Sequence, residues 1–350
     1  MSERWGDFLL EQLIAVGGLG EVWRATKNGT SGALKRMHTH LTRNDEALAM
    51  FAQEQRLVID LPRHPNVVRG IEAASVPHAW ASSDTSSASE PSPSASLRDA
   101  SESSPSASTT LRDASEASPS ASTSLRDASE PSPSASATLR DVGLPYVFLE
   151  LAPGLDLRRI VAPPATRERP TTGAVSISRD RALWIVAAAC DAVAHLHANG
   201  WVHGDVNPSN LIVSPAVPGS GPPAATLKGV NAPHSVKLVD LGIARRLGEA
   251  GPTRGTHAYM APEQVRAQPW TAATDVFALG IVLWELTAGT RLFHRGPTWL
   301  SMAAVVEADV PALPDKEIDA ICRAALVKDP GRRLASAAML ADQLRSLSSN

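Results

Sequence analysis

"HGDVNPSN", His203 to Asn210, is the stretch on which the reading of this chain turns. It sets a carboxylate, Asp205, and an amide, Asn210, five residues apart. A short loop can curl so that both face one reacting group. The octapeptide alone does not say which group, so its meaning depends on what stands on either side of it.

Composition bounds the answer first. With 350 residues, 43% apolar content and a net charge of -3, the chain can bury a sizeable core, divided between two lobes, and shows no basic excess of the kind that nucleic acid demands. Cys190 and Cys322 lie far apart in apolar, helix-like stretches without metal-ligand or CxxC spacing, which fits small core residues in a reducing cytoplasm. The opening "MSERWGDFLLEQL" carries charges where a signal peptide needs an apolar centre, and no run of 18 apolar residues occurs. The expectation is a cytoplasmic protein with no membrane span.

Upstream of the octapeptide the composition breaks sharply. From about Ala81 to Asp141 there is no aromatic residue, and "LRDASE" units begin at Leu97, Leu111 and Leu125, with a further "LRD" at Leu139. One leucine in each 14-residue repeat leaves no hydrophobic face to stack, so residues 81–141 are expected to be a disordered insert rather than a solenoid. A second, Pro/Gly-rich insert is expected at 214–235. Elsewhere the pattern is regular. "FLLEQLIAV", "EVWRAT" and "GALKRM" read as strands, "NDEALAMFAQEQRLVIDL" as a helix, and "PYVFLE" as a further strand. Helices dominate afterwards: "RDRALWIVAAACDAVAHLHANG" stops at Gly200, and "TDVFALGIVLWELTAG" is apolar nearly all round, as a buried helix would be. The expectation is an α+β fold, with a strand-rich small lobe of four or five strands and one helix over 1–152 and a mainly helical large lobe over 153–350.

Several further groups bear on chemistry. "AVGGLGEVW" joins the first two of these strands, and glycines let backbone N–H groups approach a phosphate that a side chain would hold off. Lys35 lies in the next strand and Glu54 on the helix after it, so that an ammonium orienting phosphates could be held by a carboxylate from across the lobe. Downstream of the octapeptide come "VDLG" at Asp240, "GTHAYMAPEQ" ending at Gln264, "DVFALG" at Asp275 and "DPGRR" at Asp329, and "HPNVV" at His64 precedes it.

In this order the set resembles the protein kinases, and the "MAPEQ" wording is most similar to bacterial serine/threonine kinases. The resemblance implies a two-lobed kinase fold and transfer of the ATP γ-phosphate to Ser or Thr of protein substrates, the chain itself included. It implies roles one position at a time. Asp205 would accept or orient the substrate hydroxyl, and Asn210 and Asp240 would hold Mg2+. Lys35 and Glu54 would form the phosphate-orienting pair. Ala15, Val16, Gly17, Gly18, Leu19, Gly20, Val22 and Ala33 would surround the nucleotide, with Leu149 as gatekeeper. The backbones of Glu150 and Ala152 would meet adenine and Asp156 the ribose. Glu263 would pair with Arg333, Thr256 would support the substrate loop, and His203 would brace the catalytic loop. The ten histidines need no metal, and His195 and His197, two apart, fall on different helix faces.

Three departures stand out. Ala15 replaces the first loop glycine, Gly204 the Arg that grips a phosphorylated activation loop, and Asn207 a Lys that helps hold the transferred phosphate. The last is expected to slow transfer by about one to two orders of magnitude, and Asn207→Lys to restore it. Activation is expected not to depend on phosphorylation near Thr253. Two alternatives are carried. A pseudokinase scaffold would bind nucleotide with little transfer, whereas a small-molecule phosphotransferase would share His-Gly-Asp but lack the segment from Asp240 to Glu263. The Ser-rich repeats are expected to be a spacer, or else an arm that docks partners.

Overall fold

The computed structural model describes residues 3–77, 143–161, 177–215 and 234–348. The first half of the architecture is a six-stranded antiparallel sheet built from β1 (Glu3–Trp5), β2 (Phe8–Val16), β3 (Gly20–Lys27), β4 (Thr30–Met37), β5 (Gly70–Val76) and β6 (Leu144–Glu150), in the order β1-β2-β3-β4-β6-β5. One helix, α1 (Asp45–Asp60), packs on it. Asn44 caps α1 by accepting from the Ala47 N–H at 2.9 Å, and Ala47, Met50, Phe51, Glu54, Leu57 and Val58 form its buried stripe.

The sheet has one more strand than the four or five expected, because β1 is only three residues long and shows no alternation to read. Trp5 nonetheless anchors it, at 2% exposure, in an aromatic cluster with Phe8, Tyr146 and Phe148 on one face of the sheet. Val76 pairs with Leu144, so the chain leaves the sheet and returns to it across one antiparallel rung. The disorder expected for 81–141 lies outside the described residues.

The second half begins with β7 (Leu155–Asp156) and the short α2 (Leu157–Val161), followed by α3 (Arg179–Ala198) and β8 (Trp201–Val202). Then come β9 (Leu211–Pro215), β10 (His234–Leu238) and β11 (Arg245–Arg246), and the remainder is helical: α4 (Pro262–Val265), α5 (Ala272–Ala288), α6 (Thr298–Glu307), α7 (Lys316–Ala325) and α8 (Ala337–Ser348). α5 is buried continuously from Ala273 to Leu286, as its all-round apolar sequence requires. The insert expected at 214–235 is shorter than its composition suggested. Ser214 and Pro215 still pair with Ser235 and His234 as the ends of β9 and β10, since strand pairing overrides local Pro/Gly content there.

The two halves share one core. Ala33, Met37 and Phe51 join Val186, Val193, Leu211 and Leu238 in a single apolar cluster, and the "HPNVV" loop laces them together. The Asn66 amide donates to Val236 O at 2.8 Å, and Leu238 N–H donates back to Asn66 O at 2.7 Å.

Candidate active site

The cleft between the halves gathers charge. Lys35 sits on β4, whose pairing with β3 and β6 fixes its height, and its Nζ donates to Glu54 Oε1 and Oε2 at 2.6 and 2.8 Å and to Asp240 Oδ1 at 2.7 Å. Burial works against the ammonium, but the carboxylates of Asp240 and Glu54 outweigh it and hold Lys35 above the usual lysine range, hence charged. That cation in turn holds Asp240 below the usual carboxylate range. Asp240 adopts φ +63°, a left-handed conformation that Asp tolerates better than most residues and that is characteristic of functional turns. A side chain at Gly242 would meet Glu54 Oε2, Asp240 Oδ1 and Lys35 Nζ at 3.0 to 3.3 Å, so the glycine after Asp240 keeps this cluster clear.

Below it the octapeptide curls as the spacing implied. Asn210 Nδ2 donates to Asp205 O at 2.9 Å and to Asp205 Oδ2 at 3.1 Å. The other carboxylate oxygen, Oδ1, accepts the Thr256 N–H at 2.9 Å, which ties the loop to the segment running from Asp240 to Glu263. Burial pushes the Asp205 carboxyl up, and the nearby Asp240 charge adds to this. His203 is wholly buried, and its Nδ1 accepts the Asp205 N–H at 3.1 Å, a bracing role. His195 and His197 contact different partners, Pro62 O and the Asp275 carboxylate, as faces two residues apart must.

Asp275, which the sequence marked only as part of a motif, is the keystone beneath the loop. Its two oxygens accept the N–H groups of His203 and Gly204, each at 2.8 Å, and His197 Nε2 donates to it at 2.9 Å. These bonds outweigh its burial and hold it below the usual carboxylate range. Gln264 adds a bond from Nε2 to Gly204 O at 2.8 Å. Neither contact is visible as a spacing, because each joins residues 60 or more positions apart.

The glycine turn joins β2 to β3. Gly20 is obligatory, since a Cβ there would drive into the Arg36 carbonyl, whereas Gly18 has open space and Gly17 only an ordinary contact. Ala15 pairs with Val22 just past an irregularity in the β2–β3 register between Leu13 and Ala15. His38 supports the turn from behind, donating from Nε2 to Gly17 O at 2.9 Å, a contribution that sequence reasoning missed. Leu19 is partly buried at the turn, Val16 is 64% exposed, and Val22 lies opposite Lys35 on the neighbouring strand. Ala33 stands opposite Leu149 on the neighbouring strand, and both are buried. At the connection between the halves, Glu150 spends its carboxylate on Lys237 Nζ (2.6 Å) and its N–H on Arg69 O (2.9 Å), and Ala152 is half-buried. Asp156 caps α2, accepting from Arg159 N–H at 2.9 Å and pairing with Arg159 Nε at 3.0 Å, so a ribose would have to compete for it.

Two of the three departures acquire a physical reason. Asn207, at 2% exposure, accepts the Ser209 N–H at 2.8 Å and donates to Asp205 O at 3.0 Å, so the amide is consumed in shaping the loop. The expected gain from a lysine there is set against the loss of these two bonds. Gly204 has φ +77°, and a Cβ on it would overlap the ring of Trp270. Glu263 and Arg333 pair as expected, at 2.7 and 2.9 Å, fully buried.

Comparison with known proteins places this geometry. The protein kinase domain model matches residues 139–344, more than half of the chain, beginning just ahead of β6. Serine/threonine-protein kinase PknB of Mycolicibacterium smegmatis is 34% identical over 216 residues, which are 58% of this chain and 30% of that protein. PknB of Mycobacterium tuberculosis is 33% identical over the same span. Serine/threonine-protein kinase PknA of Mycobacterium tuberculosis is 25% identical across 98% of this chain and 61% of that protein. The chain thus spans about a third of the length of the PknB relatives it matches. Among the described residues no helix is long and apolar enough to cross a membrane, and no group of three acidic, His or Cys side chains forms a metal cage. The chain belongs to the protein kinase domain family.

Proposed function

We propose that the protein transfers the γ-phosphate of ATP to Ser or Thr hydroxyls of proteins, itself among them. The observation that carries this is the convergence of Lys35, Glu54 and Asp240 above Asp205 and Asn210, with Asp205 bonded to the segment that would receive a polypeptide. The residues fit magnesium-ATP: Asp240 Oδ2 and Asn210 Oδ1 make no hydrogen bond among the described residues, and a hard cation takes such oxygens together with those of the phosphates. Bound Mg-ATP supplies the phosphoryl group and the charge that offsets its oxygens.

The chain's own residues do the rest. Lys35, kept charged and oriented by Glu54, binds the phosphates as a fixed cation. The main chain of the Ala15–Gly20 turn covers them, Val22, Ala33 and Leu149 enclose the base, and Glu150 and Ala152 meet its edge. Asp205, raised by burial and held by the Asn210 and Thr256 bonds, takes the proton of the incoming hydroxyl as the oxygen bonds to phosphorus and ADP leaves.

The alternatives are less well supported. Thr256, in the 240–263 segment, and Gln264, immediately after it, bond this part of the chain to the catalytic loop, which favours a polypeptide acceptor over a small molecule. Of Ala15, Gly204 and Asn207, the three departures that favour a pseudokinase, the last two have structural roles that leave Asp205 placed. Incubation with magnesium and labelled ATP, alone and with a generic acceptor protein, tests the proposal beside an Asp205→Asn control. Label in phosphoserine or phosphothreonine that the control lacks supports it, and no label in the wild-type protein overturns it. The domain limits, 1–152 and 153–350, a cytoplasmic setting and the repeats as a spacer, or else a partner-docking arm, remain part of this proposal.

A further inference from the structure

Trp270 is among the largest fully buried side chains, at 0% exposure, yet it belongs to a loop between α4 and α5 and not to a helix or strand of the core. Its indole lies between two glycines from different segments. A Cβ on Gly204, in the catalytic loop, would overlap the ring from one side, and a Cβ on Gly251, in the 240–263 segment, would overlap it from another. Its main chain is also engaged. Trp270 N–H donates to Glu249 O at 2.9 Å, Gly248 N–H donates to Trp270 O at 2.8 Å, and Ala250 bridges Pro269. Among the described residues its Nε1–H has no acceptor, so the ring is held by shape alone.

We infer that Trp270 is a positioning residue that joins the 240–263 segment to the catalytic loop by packing, where an arginine at position 204 would join them through a phosphate. Gly204 is the neighbour of Asp205, and its N–H and carbonyl are fixed by Asp275 and Gln264. The ring closes the remaining side of the same peptide. Moving it would let Asp205 drift from the substrate hydroxyl while leaving Lys35, Glu54 and Asp240 in place. The segment would consequently be ordered in the unphosphorylated chain, with Gly204 and Gly251 small because the ring occupies the space of their side chains.

This inference rests on the phosphotransfer proposal, and the experiment separates the two. Full-length wild type, Trp270→Phe, Trp270→Ala, Gly251→Ala and the double variant Gly251→Ala with Trp270→Leu are compared after phosphatase treatment. Labelled transfer, ATP binding and tryptic cleavage at Arg254 are followed. The expected result is a fall in kcat of about 10- to 100-fold for Trp270→Ala and Gly251→Ala at little-changed KM for ATP, as a displaced catalytic group gives. Trp270→Phe should stay near wild type because the indole N–H bonds nothing, and the double variant should recover most of the loss. Cleavage at Arg254 should quicken in the two impaired variants alone, a reading that needs no activity. Absence of transfer in the wild type would overturn the kinase proposal, with the proteolysis still deciding on the wedge. Unchanged kcat and unchanged cleavage in Trp270→Ala, or loss of wild-type activity on phosphatase treatment, would overturn the wedge. A Trp270→Ala chain that does not fold would leave Gly251→Ala and its double variant to decide.

Discussion

Two buried ion pairs, one in each half of the molecule, differ in what surrounds them. Arg333 is closed: its guanidinium makes five hydrogen bonds, two to Glu263 and the others to the carbonyls of Ala273, Val327 and Lys328, and both side chains are at most 1% exposed. Lys35 is shared between Glu54, at 2% side-chain exposure, and Asp240, at 51%, which opens to the cleft. A buried pair with every donor satisfied can only hold structure together, and breaking one partner strands the other charge. A pair whose cation is divided with a half-exposed carboxylate can exchange that third partner for a ligand. The same chemistry is closed off in one place and left open to a ligand in the other.

The sharpest way to break this contrast is to remove one member of each pair. Glu263→Ala should lower stability by about 3 to 5 kcal/mol in denaturant melts. Lys35→Met should cost at least ~10²-fold in transfer while shifting the melting temperature far less. A Lys35→Met protein that unfolds as readily as Glu263→Ala would show that the cleft pair is architectural too.

The small lobe can be probed through its insert. Val76 and Leu144 are already paired, so replacing Ser83 to Arg140 with a four-residue turn should raise stability by about 2 kcal/mol through loop closure, with ATP binding kept. A deletion protein that fails to fold or bind ATP would mean that the repeats belong to the domain.

A smaller effect is expected at Asn207, a closed polar site inside the open cleft. Asn207→Lys should lower kcat by about 10-fold, close to 1.4 kcal/mol, because the new side chain loses the bonds to Ser209 and to the Asp205 carbonyl. A faster enzyme would show that the missing charge outweighs the shape of the loop.

The smallest expected effect is on pH. Asp205 must be ionised to accept a proton, and burial raises its pKa, so kcat/KM should fall as pH drops through a value above that of an ordinary aspartate. An acid limb at or below the ordinary value would argue that Asp205 is more open than its surroundings suggest.

How much was legible beforehand varies with the range of the interaction. The buried helix at Ala272–Ala288, the stop of α3 before Gly200 and the Asp205–Asn210 curl follow from periodicity, a glycine and a five-residue spacing. β1 went unread because three residues carry no period, and the strand ends at Ser214 and Ser235 were masked by neighbouring prolines and glycines.

By itself the sequence determined the strand-rich and helical halves, the glycine turn and the order of the motifs, because residue type at short spacing is written along the chain. Only the tertiary structure decided that Lys35 bonds both Glu54 and Asp240, 19 and 205 positions away, that Asp275 holds the loop from His203 to Asn210, and that Asn207 shapes it. It also decided that Trp270 occupies the space left by Gly204 and Gly251. The physical reason is that packing joins surfaces, and a surface made of residues from distant segments leaves no periodic trace in the chain that folds into it.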